Sequence, residues 1–269
     1  MRPLAGAAAA AGAAAGSSAA AAWIHAWQPR PNARLRLICF HPAGAGPTFF
    51  RPWARQLPEE IEVLAVRLPG RESRITEPLL TDYAQAVAEL HAALRPLTDR
   101  PYALFGHSMG ALLAYGVARE TARHGGPAPV RLFVSGAGGP GGGPKKKNRP
   151  AWSDDELVAE LREMGGTPDA VLDEPELLGI ILPILRADYA VCDAFRAAPV
   201  AADPELTCPV SILGGAADEY DEDQLSRWAA VTRGPSRQRI FPGGHFFLTE
   251  ESADAVRLSL VADLADAIG

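Results

Sequence analysis

Cysteine, long apolar runs and excess positive charge are all scarce in this sequence, and each shortage removes a class of protein. The three cysteines (Cys39, Cys192, Cys208) form an odd, widely spaced set with no CxxC. That pattern argues against a disulfide framework and against a zinc site, and it fits a reducing, cytoplasmic setting. No stretch of about 18 bulky apolar residues occurs, so the sequence predicts no membrane span. The tract 5–22 is long enough to tempt, but it holds only Ala, Gly and Ser, which leave water too reluctantly to anchor a helix in lipid. Although Arg2 precedes it, the tract lacks the Leu/Val-rich centre of a signal peptide. Excess positive charge is missing too: a net charge of −6 gives no electrostatic footprint for nucleic acid, with Lys145-Lys146-Lys147 a local exception.

What is abundant is alanine, 50 residues of 269, with 13 of them in the first 22. Residues 1–22 offer no patterned face to bury and are expected to be a disordered, low-complexity tail. Residues 23–269 retain enough bulky apolar side chains for one sizeable core, so a single domain is expected there.

From Trp23 onward, short apolar runs alternate with helical patterns, the signature of an α/β fold with a mostly parallel sheet and helices on both faces. Strands are expected at 35–40, 61–66, 102–105, 130–134, 210–213 and 238–241, with helices near 49–57, 81–94, 109–124, 224–231 and 253–267. In the last of these, Val256, Leu260 and Leu264 recur every four residues, as on a buried helical stripe. The 75 residues between Val134 and Val210 carry no strand pattern, too many for a simple crossover. They open with a Gly, Pro and Lys segment and then turn helical. Ser153 and Glu156 have capping-box spacing, and 175–195 carries Leu177, Leu178, Ile181, Leu182, Leu185 and Tyr189. This insertion, at about 138–205, reads as a helical lid on the carboxyl edge of the sheet; ordinary packing helices are the alternative.

Gly106-His107-Ser108-Met109-Gly110 follows the apolar run Tyr-Ala-Leu-Phe and precedes a Leu/Ala-rich helix, the context of a nucleophile elbow. A serine hydroxyl needs a base to take its proton and an acid to orient that base. Only His124 and His245 follow Ser108 in the chain. His124 ends the helix that the elbow starts and is expected to face solvent. His245, in a loop after the last strand, falls on the same sheet edge as Ser108. For the acid, Asp218 follows a strand end at that edge, with Glu219, Asp221, Glu222 and Asp223 crowding behind it. The oxyanion hole needs two backbone N–H groups. Met109 supplies one and Ala43, in Phe40-His41-Pro42-Ala43-Gly44-Ala45-Gly46, the other, since Pro42 has no N–H. His41 and His107 read as structural or pocket-lining. A phosphate loop would require GKS or GKT after the glycines, and neither follows.

Taken together, these residues resemble the stand-alone type II thioesterases of polyketide and nonribosomal peptide synthases, over about 23–269. The resemblance rests on Ile38-Cys-Phe-His-Pro-Ala-Gly-Ala-Gly with Phe49-Phe-Arg-Pro-Trp, on Leu68-Pro-Gly-Arg-Glu-Ser-Arg and on GHSMG. It also rests on Leu161-Arg-Glu-Met-Gly-Gly-Thr-Pro, on Arg186-Ala-Asp-Tyr and on the GGxxD and GGHFFL stretches. It implies an α/β-hydrolase fold with a mobile lid, a Ser108/Asp218/His245 triad, oxyanion donors Met109 and Ala43, and hydrolysis of acyl groups from the phosphopantetheine arm of carrier proteins. It implies no cofactor beyond the phosphopantetheine that the substrate carries. Partners would be acyl- or peptidyl-carrier domains, neither nucleic acid nor membrane, and nothing calls for more than a monomer. Some cyclising relatives place the acid after the strand following the elbow; here that stretch is Ser135-Gly-Ala-Gly-Gly-Pro, which has no carboxylate. Rival readings are a product-releasing or cyclising thioesterase, a general esterase on small esters, and a non-catalytic carrier-binding module. Lys145–Lys147 would either steer acidic carriers or be a solvated loop.

Overall fold

A computed structural model describes residues 21–141, 148–200 and 203–268; the alanine-rich tail up to residue 20 and the Lys145–Lys147 run lie outside the described residues. The apolar runs form the strands. β1 (Ile24–His25), β2 (Leu35–Phe40), β3 (Ile61–Val66), β4 (Tyr102–His107), β5 (Arg131–Ser135), β6 (Val210–Gly215) and β7 (Ser236–Phe241) build one sheet in the order β1-β3-β2-β4-β5-β6-β7. The pairings are parallel except at β1, which runs antiparallel to β3 with Ile24 opposite Val66.

β3 and β4 lie on opposite sides of β2, so the chain reverses its direction of winding there. The carboxyl ends of β2 and β4 therefore frame the crevice where open α/β sheets bind ligands. Central strands are apolar on both faces because both are covered. Along β4, Tyr102 and Leu104 join the core beneath α1 (Tyr83–Leu94) and α2 (Met109–Arg123). Ala103 and Phe105 join the opposite core, with Phe50, Trp53 and Leu260 of α5 (Ala253–Asp263). Full burial of a side chain such as Phe105 contributes about 1.5–3 kcal/mol.

Several elements depart from the sequence pattern. β1 is too short to show any periodicity. The expected helix at 49–57 is two pieces, a 3-10 turn at Pro47–Phe50 and a single turn at Trp53–Gln56, because Pro52 has no N–H to continue a ladder. The segment expected at 224–231 is Glu222–Ser226 followed by a 3-10 stretch Arg227–Val231.

Within the insertion, α3 (Asp154–Met164) starts at the capping box: Ser153 N–H donates to Glu156 Oε2 at 2.7 Å, and Glu156 N–H to Ser153 Oγ at 3.2 Å. A short turn, Asp169–Leu172, leads to α4 (Pro175–Ala197). Leu157, Leu161, Leu172, Leu182, Leu185 and Tyr189 form a small core of their own, and half-buried Ala43 packs against it. The insertion thus sits over the carboxyl edge of the sheet. Among the described residues, no helix is long and apolar enough to cross a membrane, and Cys39, Cys192 and Cys208 are buried free thiols.

Candidate active site

Ser108 joins β4 to α2 with φ 53° and ψ −120°. A non-glycine residue there carries strain of about 1–3 kcal/mol, and the surroundings hold it in place. Its N–H donates to the Ser135 carbonyl at 2.7 Å. A Cβ on Gly106 would run into the Gly110 carbonyl, and one on Gly110 into the carbonyl of Phe40 at the end of β2. Both glycines of GHSMG are thus required by backbone contact, and the second packs the elbow against the strand that leads into Ala43.

His245 is carried by the loop after β7, in a turn that packs close to the end of β6. Its ring is 6% exposed, and Nδ1–H donates to Asp218 Oδ1 at 2.9 Å, which assigns the tautomer from the hydrogen-bond network. Nε2 is buried, has no hydrogen-bond partner among the described residues, and belongs to a side chain that lines the same cavity as Ser108. Asp218 Oδ1 also accepts the Glu219 N–H at 2.7 Å. Its Oδ2 lies 3.5 Å from where a Cβ on Gly136 would stand. That is an ordinary contact; the same Cβ would stand 2.5 Å from His107 Cε1, so the glycine that follows β5 makes room for the His107 ring.

Two of the acidic residues behind Asp218 have partners of their own. Glu219 pairs with buried Arg149 at 3.3 Å, and Asp221 accepts the Gln224 N–H as a helix cap at 2.7 Å. His124 is exposed and pairs with Glu120, as its position at the helix end implied. Of the amides at 43–45, Gly44 N–H donates to Asp188 at 2.8 Å and Ala45 N–H to the Pro42 carbonyl at 3.2 Å. Among the described residues, Ala43 N–H is left uncommitted, and Met109 N–H lies at the first position of α2, where no intrahelical acceptor exists.

The cavity holds about 800 Å³, and apolar Leu112, Met164, Ile181, Leu185 and Phe195 line much of it together with Pro42–Ala45, Met109 and the elbow serine. Lid and sheet edge contribute to it jointly. Among the described residues, no group of His, Cys, Asp and Glu is placed to hold a metal ion.

His41 and His107 are buried behind this wall. His107 Nδ1 meets Ser135 Oγ at 3.0 Å, and its ring stacks on Phe49 at 5.9 Å and lies tilted against the His245 ring at 5.0 Å. Burial, reinforced by the nearby His245, lowers its pKa well below the ordinary value. Burial, with the Arg71 charge adding to it, lowers that of His41 to about 4. In the unfolded chain each ring takes a proton as the pH falls through about 6.5. Folded His41 does so only near 4, so between these values the unfolded state binds more protons. The stability that His41 contributes is thus complete above about pH 6.5 and falls toward pH 4, by up to about 1.4 kcal/mol per pH unit, and His107 acts in the same direction. Urea unfolding across this window is expected to give that slope, and His41→Gln to remove one histidine's share. Identical slopes in the two proteins would contradict it.

Sequence reasoning misses the parts played by Arg71, Arg149 and Asp188, all buried, Arg149 on the cavity wall and the other two against Gly44 and Ala45. Arg71 and Asp188 lie within quoted motifs but 117 positions apart, and no local spacing signals that they meet.

The thioesterase domain family matches residues 35–261. The chain is 37% identical over 225 residues to the gramicidin S biosynthesis protein GrsT of Aneurinibacillus migulanus, covering 83% of this chain and 87% of that one. It is 34% identical over 231 residues to the thioesterase PikA5 of Streptomyces venezuelae, covering 85% and 81%. Among solved structures, the type II thioesterase BorB from the borrelidin biosynthetic cluster superposes with a TM-score of 0.81 at 36% identity, covering 92% of this chain and 98% of that one. The RedJ thioesterase of the prodiginine pathway in Streptomyces coelicolor gives 0.81 at 36% identity, covering 89% and 94%.

Proposed function

The chain belongs to the thioesterase domain family and is a hydrolase of the α/β-hydrolase fold, and from that premise we propose that it frees acyl groups from the phosphopantetheine arm of carrier proteins with Ser108 as nucleophile, His245 as base and Asp218 as its orienting acid. The observation that carries this reading is the His245 Nδ1–Asp218 contact at 2.9 Å beside a strained Ser108, on the wall of one largely apolar cavity.

The steps follow from that arrangement. Ser108 Oγ attacks the thioester carbonyl while its proton passes to His245 Nε2. Charge develops on the carbonyl oxygen, where the Met109 and Ala43 N–H groups hold it; each such donor lowers the barrier by about 2.7–4 kcal/mol. The C–S bond then breaks, and His245 gives its proton to the departing thiolate. Water, deprotonated by the same nitrogen, attacks the acyl-serine, and the acid leaves as Ser108 regains its proton. These steps use only side chains, backbone amides and water. The lid helices exclude bulk water and surround the acyl chain.

The test is intact-mass measurement of carrier proteins loaded with acetyl, propionyl and longer acyl groups, before and after incubation with the protein, beside hydrolysis of free nitrophenyl esters. Loss of the acyl mass from the carrier, with a higher kcat/KM than for the free ester, is expected. Carrier mass left unchanged while the free ester is consumed would make the protein a small-ester hydrolase.

A further inference from the structure

Leu68-Pro-Gly-Arg71 and Arg186-Ala-Asp188-Tyr189 take no part in the chemistry above, yet the fold joins them against the loop that carries Ala43. Arg71 lies in the loop after β3 and Asp188 in the middle of α4; they are 5% and 1% exposed. The pair is bidentate, with Nη1 donating to Oδ2 at 3.0 Å and Nη2 to Oδ1 at 2.8 Å. A buried ion pair is a weak source of stability, because desolvating both charges offsets most of their attraction. Its other contacts are more telling. Asp188 Oδ2 accepts the Gly44 N–H at 2.8 Å, and Arg71 Nη1 donates to the Ala45 carbonyl at 3.0 Å. One turn earlier on α4, Leu185 Cδ1 lies 3.2 Å from where a Cβ on Gly44 would stand, and Gly44 has φ +74°. Glycine suits this position both by its backbone and by the closeness of the helix.

We propose that Arg71 and Asp188 are positioning residues for the oxyanion loop: carried in part by the lid helix, the pair sets the orientation of the Ala43 N–H, so that this donor is in place only while α4 is seated. The inference rests on the site reading given above. The carboxylate fixes the Ala43–Gly44 peptide from one side and the guanidinium the Ala45 carbonyl from the other. Pro42, with its own φ fixed by the ring, closes the remaining end. Ala43 is thereby held between two restrained neighbours, and a donor displaced by about 1 Å costs up to about 100-fold in rate. The ion pair also ties lid closure to catalytic competence, since α4 both covers the cavity and supplies the Gly44 acceptor.

The test separates the ion pair from the Gly44 acceptor, using acyl-carrier protein as substrate. Asp188→Ala removes both, and kcat is expected to fall about 10- to 100-fold with little change in KM. Asp188→Asn removes the charge but keeps an oxygen for the Gly44 N–H, and it is expected to regain most of what Asp188→Ala loses. The exchanged protein, Arg71→Asp with Asp188→Arg, restores an ion pair but puts a guanidinium, which has no acceptor, opposite the Gly44 N–H. It is expected to recover thermal stability and not kcat. Recovery of both in the exchanged protein, or a kcat in Asp188→Asn as low as in Asp188→Ala, would overturn the proposal. A folded Asp188→Ala protein with undiminished kcat would do the same. Should Asp188→Ala fail to fold, the other two variants decide by the same criterion. Ser108→Ala run in parallel keeps the two readings apart: activity there sinks the site assignment itself, whereas an inactive Ser108→Ala beside an unaffected Asp188 variant sinks only this inference.

Discussion

Ser108→Ala is expected to lower acyl release from carrier protein by about 10⁴- to 10⁶-fold while the protein stays folded. The size of the loss follows from the acyl-enzyme route, which the variant cannot enter, leaving only what the cavity and the backbone donors contribute. Stability should respond differently. Ser108 is held at φ 53°, and alanine inherits the strain, whereas Ser108→Gly relieves it at some cost in unfolded-state entropy. The glycine variant, equally inactive, is therefore expected to melt a few degrees above the alanine variant. A serine-directed fluorophosphonate should label the native chain once and neither variant. Near-native turnover in Ser108→Ala, or labelling that persists in it, would remove Ser108 from the mechanism.

The second large effect is expected at Asp218. Asp218→Asn keeps the shape but replaces a carboxylate that accepts both the His245 Nδ1–H and the Glu219 N–H by an amide with one accepting oxygen. The imidazole can then turn to the tautomer with hydrogen on Nε2, which cannot take the serine proton. A loss of about 10⁴-fold in kcat follows, with the melting temperature little changed. The adjacent carboxylates supply the control. Asp221→Ala removes a helix cap and should cost about 1 kcal/mol of stability with kcat retained. If Asp218→Asn kept its rate while Glu219→Gln lost it, the orienting acid would have to be reassigned.

Much of this architecture is legible in the one-dimensional pattern. Runs such as 35–40 and 61–66 are apolar except at Arg36 and Glu62, which pair with each other across the two strands, because a covered parallel sheet buries both faces of a strand, and they recur between helical periods. The elbow is legible because backbone crowding on both sides of Ser108 admits only glycine, which writes the geometry into five consecutive letters. Ser153 and Glu156 likewise announce a helix start, since a capping box is made within four residues. β1 is not legible, because two residues cannot display a period and its place depends on β3 being there to pair with.

The acid shows the boundary most clearly. Five carboxylates stand between Asp218 and Asp223, and composition cannot rank their partners. The tertiary structure sends Glu219 to Arg149, uses Asp221 as a cap and brings Asp218 to His245. Residues whose geometry is set by their own neighbours in the chain were determined by the sequence alone: the strands, the elbow and the capping box. The His245–Asp218 contact, the Arg71–Asp188 clamp on Gly44 and the cavity shared by lid and sheet were decided only by folding. Each joins segments separated by many residues, and what selects one partner over its neighbours is distance and burial in the packed state, which no local spacing encodes.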